Sequence, residues 1–316
     1  MLNLSTYLTP QERAALQQKS DWRGFLEIAH TWAWIAATFT LVAYFPNIFT
    51  IILALFILGG KQLACAVIMH DTGHHGLFKS KKLNDFFGTW FGAYPVMNDM
   101  LSYRHYHVKH HLTTGTAEDP DISLTKGYPT TAVSMMRKLG RDLAGATGLK
   151  HQLGLLMMHL GYWKYTGSKT LEKLYVKDRT WAEFFKLAWK KLHGPIISNG
   201  LLFSILWLTG NGWLYLLWIG AMFTTYNFSV RIRSIAEHSM LDASDNLRNT
   251  RTTYANWFER ILFAPHHVNY HVEHHLMMAV PPYHLPKMHK LLKERGFYEK
   301  GVLAQGYGEI LRLAIR

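Results

Sequence analysis

The sequence predicts an all-α integral membrane protein, with four transmembrane helices in two hairpins and a cytoplasmic helical cap holding a histidine-rich dimetal site. Three observations carry that expectation. Apolar segments of roughly helix-spanning length come in two pairs, each joined by a tip without Lys or Arg. All 34 basic residues lie elsewhere, in the termini, the middle block and the inner ends of the segments, which places those parts on the cytoplasmic side. Histidines gather in three clusters just beyond the apolar segments, at spacings that share a helix face.

The chain starts with a helix signal. Thr9, Pro10, Gln11 and Glu12 read as an N-cap, a proline at the first helical position and a capping-box glutamate. A polar helix follows, without the basic start, apolar stretch and cleavage site of a signal peptide, so the N-terminus is expected to stay cytoplasmic. The first pair of spans covers 25–45 and 48–69, joined by Pro46 and Asn47. The second covers 195–208 and 213–230, joined by Thr209, Gly210, Asn211 and Gly212. A bilayer core takes about 20 helical residues, so the third span is short and borrows from 184–192. Segments 70–194 and 231–316 then form the cap, and the 316 residues make a single domain. Within the cap, 85–100 is apolar but interrupted by Pro95, Asn98 and Asp99, and reads as an interfacial or re-entrant helix, as does 149–163. Four buried helices of a soluble protein are the rival; uncharged helix-length runs joined by tight turns speak against them.

The formal charge of +13 raises nucleic acid as a partner. The basic residues flank apolar segments instead of forming a nucleic-acid pattern, so no nucleic acid is expected. Membrane headgroups, acyl thioesters or an acidic electron donor fit such a face better. The single cysteine, Cys65, excludes an intramolecular disulfide and reads as a small buried hydrophobe. Lys61 lies nine residues before His70, and Arg231 seven before His238. If both cations mark the headgroup boundary, the two histidines stand roughly 10–14 Å above it. The other reading of Lys61 is a functional charge within the membrane.

Nine histidines fit ligand positions: His70 and His74 in the first cluster, His107, His110 and His111 in the second, His271, His274 and His275 in the third, and His238 ahead of the third. Neutral imidazole is the commonest metal-binding side chain. Nine nitrogens exceed what one ion uses, so two ions with four or five each are expected. All-nitrogen sites with open positions suit iron that activates dioxygen, although donor type alone leaves zinc, copper and nickel open. His75 would also satisfy the spacing from its neighbours, and His74 is preferred. Asp71, Asp119, Asp121 and Glu273 are placed to orient ligating imidazoles. His105, His266 and His267 read as supporting or packing residues.

The boxes HxxxH at His70, HxxHH at His107 and HxxHH at His271, in that order relative to the two hairpins, resemble the membrane fatty acid desaturase/hydroxylase superfamily over about residues 32–295. Glu118, Asp119, Pro120 and Asp121 after the second box, and Asn269 with Tyr270 before the third, are similar to family features. The resemblance implies a diiron centre, with His238 matching the extra histidine beyond the fourth span. Acyl-CoA desaturases carry an asparagine four residues before it that supports a water ligand; Ser234 stands there in this chain. Asp71 and Asn269 join Ser234 as residues expected to support or bridge to the metal.

What the resemblance implies about function is a desaturase that introduces a double bond into a fatty acyl chain with O2 as co-substrate. The substrate would be an acyl lipid, acyl-CoA or acyl-carrier species. No fused electron carrier is expected, and a separate ferredoxin- or cytochrome-type donor is. A multi-pass bacterial inner-membrane location is preferred over the endoplasmic reticulum, with the active site on the cytoplasmic face. A hydroxylase or ketolase acting on an alkane, sterol or carotenoid is the alternative. A histidine-rich metal transporter is a distant one, because its ionisable residues would line the spans.

Overall fold

The computed structural model describes residues 4–167, 171–242, 245 and 248–316, and it is mostly helical. Helix α1 (Pro10–Leu16) begins as its sequence requires: the Thr9 hydroxyl accepts from the Glu12 N–H, and the Glu12 carboxylate accepts from the Thr9 N–H at 2.9 Å. Two long helices follow, α2 (Asp21–Tyr44) and α3 (Ile48–Gly73), both long and apolar enough to cross a membrane. The tight turn between them is set by Asn47, whose Oδ1 accepts from the N–H groups of Phe49 and Thr50.

Helix α3 is the central element. Its mid-length residues Ala54 and Leu58 join Ile35 and Phe39 of α2, and Trp218 and Met222 further along the chain, in one apolar cluster. After α3 come α4 (Lys81–Phe87), a π-helical turn (Gly88–Ala93) and a 3-10 turn (Tyr94–Val96). The helix expected around 85–100 is therefore broken, and it packs along α3. A Cβ on Gly92 would stand 2.7 Å from the Met69 backbone nitrogen. Helix α5 (Met100–Thr113) starts from Asp99, which caps it through the Ser102 N–H. Short α6 (Ile122–Thr125), α7 (Ala132–Leu143) and α8 (Ala146–His159) complete the middle of the chain.

The second apolar pair departs from its sequence outline in two ways. The third segment does borrow upstream residues, and by more than expected: α9 runs unbroken from Trp181 to Leu208 with Pro195 inside it. The fourth segment is not one continuous helix. It divides into α10 (Tyr215–Phe223) and α11 (Thr225–His238) at Thr224, whose φ and ψ are −114° and −91°. Side chains take over the backbone acceptors at this break: the Thr224 hydroxyl donates to Gly220 C=O at 2.6 Å and Asn227 Nδ2 to Met222 C=O at 2.9 Å.

The mostly helical chain agrees with the all-α expectation and adds one short strand pair to it. Strand β1 (Arg251–Thr253) pairs in parallel with β2 (Val302–Ala304), Thr252 opposite Leu303. Between and after them lie α12 (Trp257–Leu262), α13 (His271–Leu276), α14 (Leu285–Glu294) and α15 (Tyr307–Leu313). Three residues paired at a separation of fifty-one give no alternating run long enough to read as a strand in sequence.

The boundary markers also part company. Arg231 turns inward to the fully buried Asp142 carboxylate, a pairing that holds α11 to α7. Lys61 is 3% exposed and lies against Trp34, so it does not reach outward from α3 as a headgroup marker would. Cys65 is buried, as its apolar setting requires.

Close approach of α3 and α11 depends on Gly59, where a Cβ would sit 2.4 Å from Thr225 Oγ1 and 2.7 Å from the Tyr226 nitrogen. Gly59→Ala is expected to cost about 1–3 kcal/mol. Thermal unfolding in detergent would read it, against Gly200→Ala, whose Cβ meets nothing within 4 Å and should leave Tm unchanged or higher.

Candidate metal centre

Each histidine cluster sits at a helix terminus or on a short helix tied to its neighbours. His70 occupies the last turn of α3 and His74 its C-cap, where the His74 N–H donates to His70 C=O. Arg104 locks α5 to the same point, since its Nε donates to Gly73 C=O at 2.8 Å and its guanidinium pairs with Asp85. His238 ends α11. Helix α13 has only six residues and is held by β1: the Val272 N–H donates to the Thr252 hydroxyl, and Thr253 N–H donates to Asn269 C=O at 3.0 Å. Asn269 Nδ2 returns a bond to Thr253 C=O at 2.9 Å, which makes Asn269 a brace of the turn into the cluster.

The structure brings all nine histidines together in two adjoining groups. His70, His74, His107, His111 and His274 form one, with their nearest nitrogens within 4.8 Å of one another. His110, His238 and His275 form a second, and His238 also groups with His271 and Glu237. The groups touch, the rings of His111 and His275 having centroids 4.1 Å apart.

The HxxHH triplets do not act as units, contrary to the expectation that each points three nitrogens one way. Positions i+3 and i+4 differ by about 100° around a helix axis. On α5, His107 and His111 therefore turn to the first group and His110 to the second. On α13 the division is reversed, with His274 in the first group and His271 and His275 in the second.

The nitrogens face one another in a way protons alone do not satisfy. His111 Nε2 lies 3.0 Å from His107 Nε2 and 3.1 Å from His274 Nε2, and His271 Nε2 lies 2.7 Å from His238 Nε2. One N–H serves one such contact; a cation serves all of them. The Nε2 atoms of His70, His74 and His275 and the Nδ1 atoms of His111 and His271 are buried with no hydrogen-bond partner. Orphaned buried nitrogens are costly unless something coordinates them. Burial pushes the His74 ring down to about 4 and His111 to about 2, and holds His107, His271, His274 and His275 below the usual imidazole range. The rings are thus neutral, the form that binds metal.

Carboxylates stand behind the rings. Asp71 accepts from His70 Nδ1 at 2.7 Å, and Asp119 from His110 Nδ1 at 2.8 Å. Burial disfavours the His110 cation, yet the bond to Asp119 and the charge of Asp121 push its pKa up. Asp119 is itself fixed by the N–H groups of Gly115 and Asp121, both at 2.8 Å. Glu273 does something else. It is buried away from the cluster rings and binds His289 Nδ1, Thr252 and Tyr298.

Sequence reasoning overlooked Glu237. Its carboxylate lies 3.6 Å from His271 Nδ1 and is paired with Arg233 at 2.6 Å, so a charged pair adjoins the second group. The available signal was an acid next to His238 with an arginine one turn before it. Ser234 donates to Val230 C=O at 2.9 Å, its hydroxyl turned onto its own helix. His75 adopts φ of 53° and lies 3.8 Å from Asp85, outside both groups. His105 is exposed, and His266 pairs with Glu27 and Thr31 and belongs to neither group.

A family model described as fatty acid desaturase matches residues 43–307, which include every histidine of both groups. The chain is 27% identical over 299 residues to the dihydrorhizobitoxine desaturase of Bradyrhizobium elkanii, covering 90% of this chain and 79% of that protein. It is 27% identical over 241 residues to the sn-1 oleoyl-lipid 12-desaturase of Synechocystis sp., covering 72% of this chain and 64% of the relative. With the fatty acid desaturase 2-like protein FADS2B of Mus musculus it shares 22% identity over 279 residues, 83% of this chain and 55% of the mouse protein. The matched region is thus just over half the length of the mouse relative and a little under two thirds of the cyanobacterial one.

Asp119→Ala removes the acceptor that orients His110. Metal affinity of the second group is expected to fall about 10–100-fold, the usual effect of deleting a carboxylate behind a ligating histidine. Metal content after dialysis against graded chelator measures it, with the first group's share retained.

Proposed function

For a chain that belongs to the fatty acid desaturase family, and so is a membrane acyl desaturase and an oxidoreductase, we propose that the two histidine groups hold a pair of iron ions. The observation that carries this reading is the convergence of nine imidazoles with orphaned nitrogens. Five histidines, His70, His74, His107, His111 and His274, would hold one ion. His110, His238, His271 and His275 would hold the other, with Glu237 beside it. Such an ion pair would supply the dioxygen chemistry in which two hydrogens leave adjacent methylenes of an acyl chain as a double bond forms, O2 becoming two waters with two electrons from the donor and two protons.

The residues of this chain do the rest. Asp71 and Asp119 fix ring orientation through Nδ1 and leave Nε2 free for metal. Burial of the rings keeps bulk water from the oxidant. Ser234, one turn before His238, supports the second ion through water once its hydroxyl rotates from the Val230 carbonyl. The acyl tail enters from the bilayer. The head group it is attached to follows the relatives named for oleoyl-lipid, an acyl chain held in a lipid. Electrons come from a separate ferredoxin- or cytochrome-type protein, drawn to the +13 chain by opposite charge.

The membrane arrangement we propose has four spans, α2, α3, α9 and the α10–α11 pair, in two hairpins. The remaining helices form a single-domain cap on the cytoplasmic face of a bacterial inner membrane. The uncharged tips at Pro46 and Gly210 support it. Reporters fused after Pro46 and Gly210 are expected to map outside, and reporters near residues 130 and 300 to the cytoplasm. A cytoplasmic signal at either tip would break the two-hairpin topology.

Expression in a host lacking the activity should produce a new unsaturated acyl species, seen by lipid profiling. His107→Ala, His238→Ala and His274→Ala should each abolish it, by at least about 100-fold, while the protein still inserts and the wild type carries two irons per chain. One zinc per chain and no iron would sink the diiron assignment.

A further inference from the structure

A cavity of about 520 Å³ lies between α2, α3 and α12, and none of the nine histidines of the two groups lines it. Its polar lining comes from Glu27, His30, Lys61, Arg260, His266 and His267. Lys61 lies in mid α3, 3% exposed, with Trp34 as its aromatic neighbour at 5.3 Å. No carboxylate pairs with Lys61 among the described residues, although Glu27 lines the same space. Glu27 is engaged elsewhere: His266 Nδ1 binds it at 2.6 Å, and His266 Nε2 meets the Thr31 hydroxyl at 2.9 Å. His267 Nδ1 is buried without a partner. A buried ammonium without a counter-charge is expensive, and within an apolar helix of spanning length such a charge marks a functional site.

The cavity is built rather than incidental. Gly60 lets α12 approach, since a Cβ there would stand 2.3 Å from Ile261 C=O. That contact brings Arg260 to the same cavity as Lys61. His266 and His267 follow with φ of 53° and 59°, a strained left-handed pair that carries both rings to the cavity wall. The rim is apolar and open, with Trp257 at 75% exposure and Leu26 at 47%. An exposed tryptophan beside a cationic recess is the profile of a site at a membrane–water boundary.

We infer that this cavity binds the oxyanion head group, carboxylate or phosphate, of a membrane-borne lipid, with Lys61 as its principal counter-charge and Arg260 at its mouth. Lys61 supplies an ammonium with three donors, Arg260 a planar guanidinium, and His267 a ring nitrogen, while the tail lies along Leu26 and Trp257. His271 follows His267 by four residues, so an occupied site also steadies the turn that enters α13.

The test is lipid binding by the full chain in neutral detergent, read by native mass spectrometry. The probes are oleate, phosphatidylglycerol, phosphatidylcholine and sodium phosphate. The readout does not depend on turnover or on which metal is bound, so it stands apart from the desaturase assignment. One oleate or phosphatidylglycerol per chain is expected, about tenfold tighter than phosphatidylcholine, which carries no net charge. Lys61→Met should weaken that binding at least tenfold and Lys61→Arg should keep it. Arg260→Gln, on the exposed rim where folding is not at stake, should weaken it several-fold. Equal retention of phosphatidylglycerol and phosphatidylcholine, or unchanged binding by Arg260→Gln and a folded Lys61→Met, would overturn the site. Saturation by sodium phosphate at the same concentration as lipid would place the anion's source in solution and overturn the membrane-borne assignment.

Discussion

Nine imidazoles packed face to face are the constraint around which this protein is arranged. Bringing His107 and His274 both to within hydrogen-bond distance of His111 removes their nitrogens from water without giving each a proton partner. Such an arrangement is unfavourable by itself and becomes favourable around cations. The scaffold therefore has to hold the rings against their own tendency to separate. It does so with helix ends: the C-terminus of α3, the last residue of α11, the body of α5 and the short α13 all deliver their rings to one place.

The bracing is mostly polar and lies one step behind the rings. Asp119 receives three donors, from His110, Gly115 and Asp121, so the carboxylate is immobilised before it orients the imidazole. Arg104 ties α5 to the end of α3, and the β1 strand ties α13 to the rest. Glu273, flanked by cluster histidines in sequence, serves the scaffold instead. It gathers His289, Tyr298 and Thr252 and so anchors α13 to α14 and to the strand pair. The division of labour follows from helix geometry, because a residue between His271 and His274 must point away from the face they occupy.

The helices that carry this centre approach one another through small residues. Gly59 admits α11, Gly60 admits α12 and Gly92 admits the broken helix after α4. Where a helix has to change direction, at Thr224, side-chain hydroxyl and amide groups satisfy the freed carbonyls locally. The same packing leaves one cation, Lys61, in mid α3 with an aromatic neighbour, lining a cavity of about 520 Å³.

Much of this was legible in the sequence because it rests on local periodicity and on residue chemistry. The α1 capping box, the Asn47 turn and the nine histidines are all patterns within a few residues, where helix geometry alone relates side chains to one another. What the sequence could not determine depends on contacts between residues far apart. The split of each HxxHH triplet between two groups needs the positions of both neighbouring helices. Glu237 became part of the second group only when α13 brought His271 to it. The β1–β2 pair, the break at Thr224 and the inward turn of Lys61 likewise follow from partners that no local pattern names. Periodicity specified which side chains share a face; only tertiary packing decided what that face would meet.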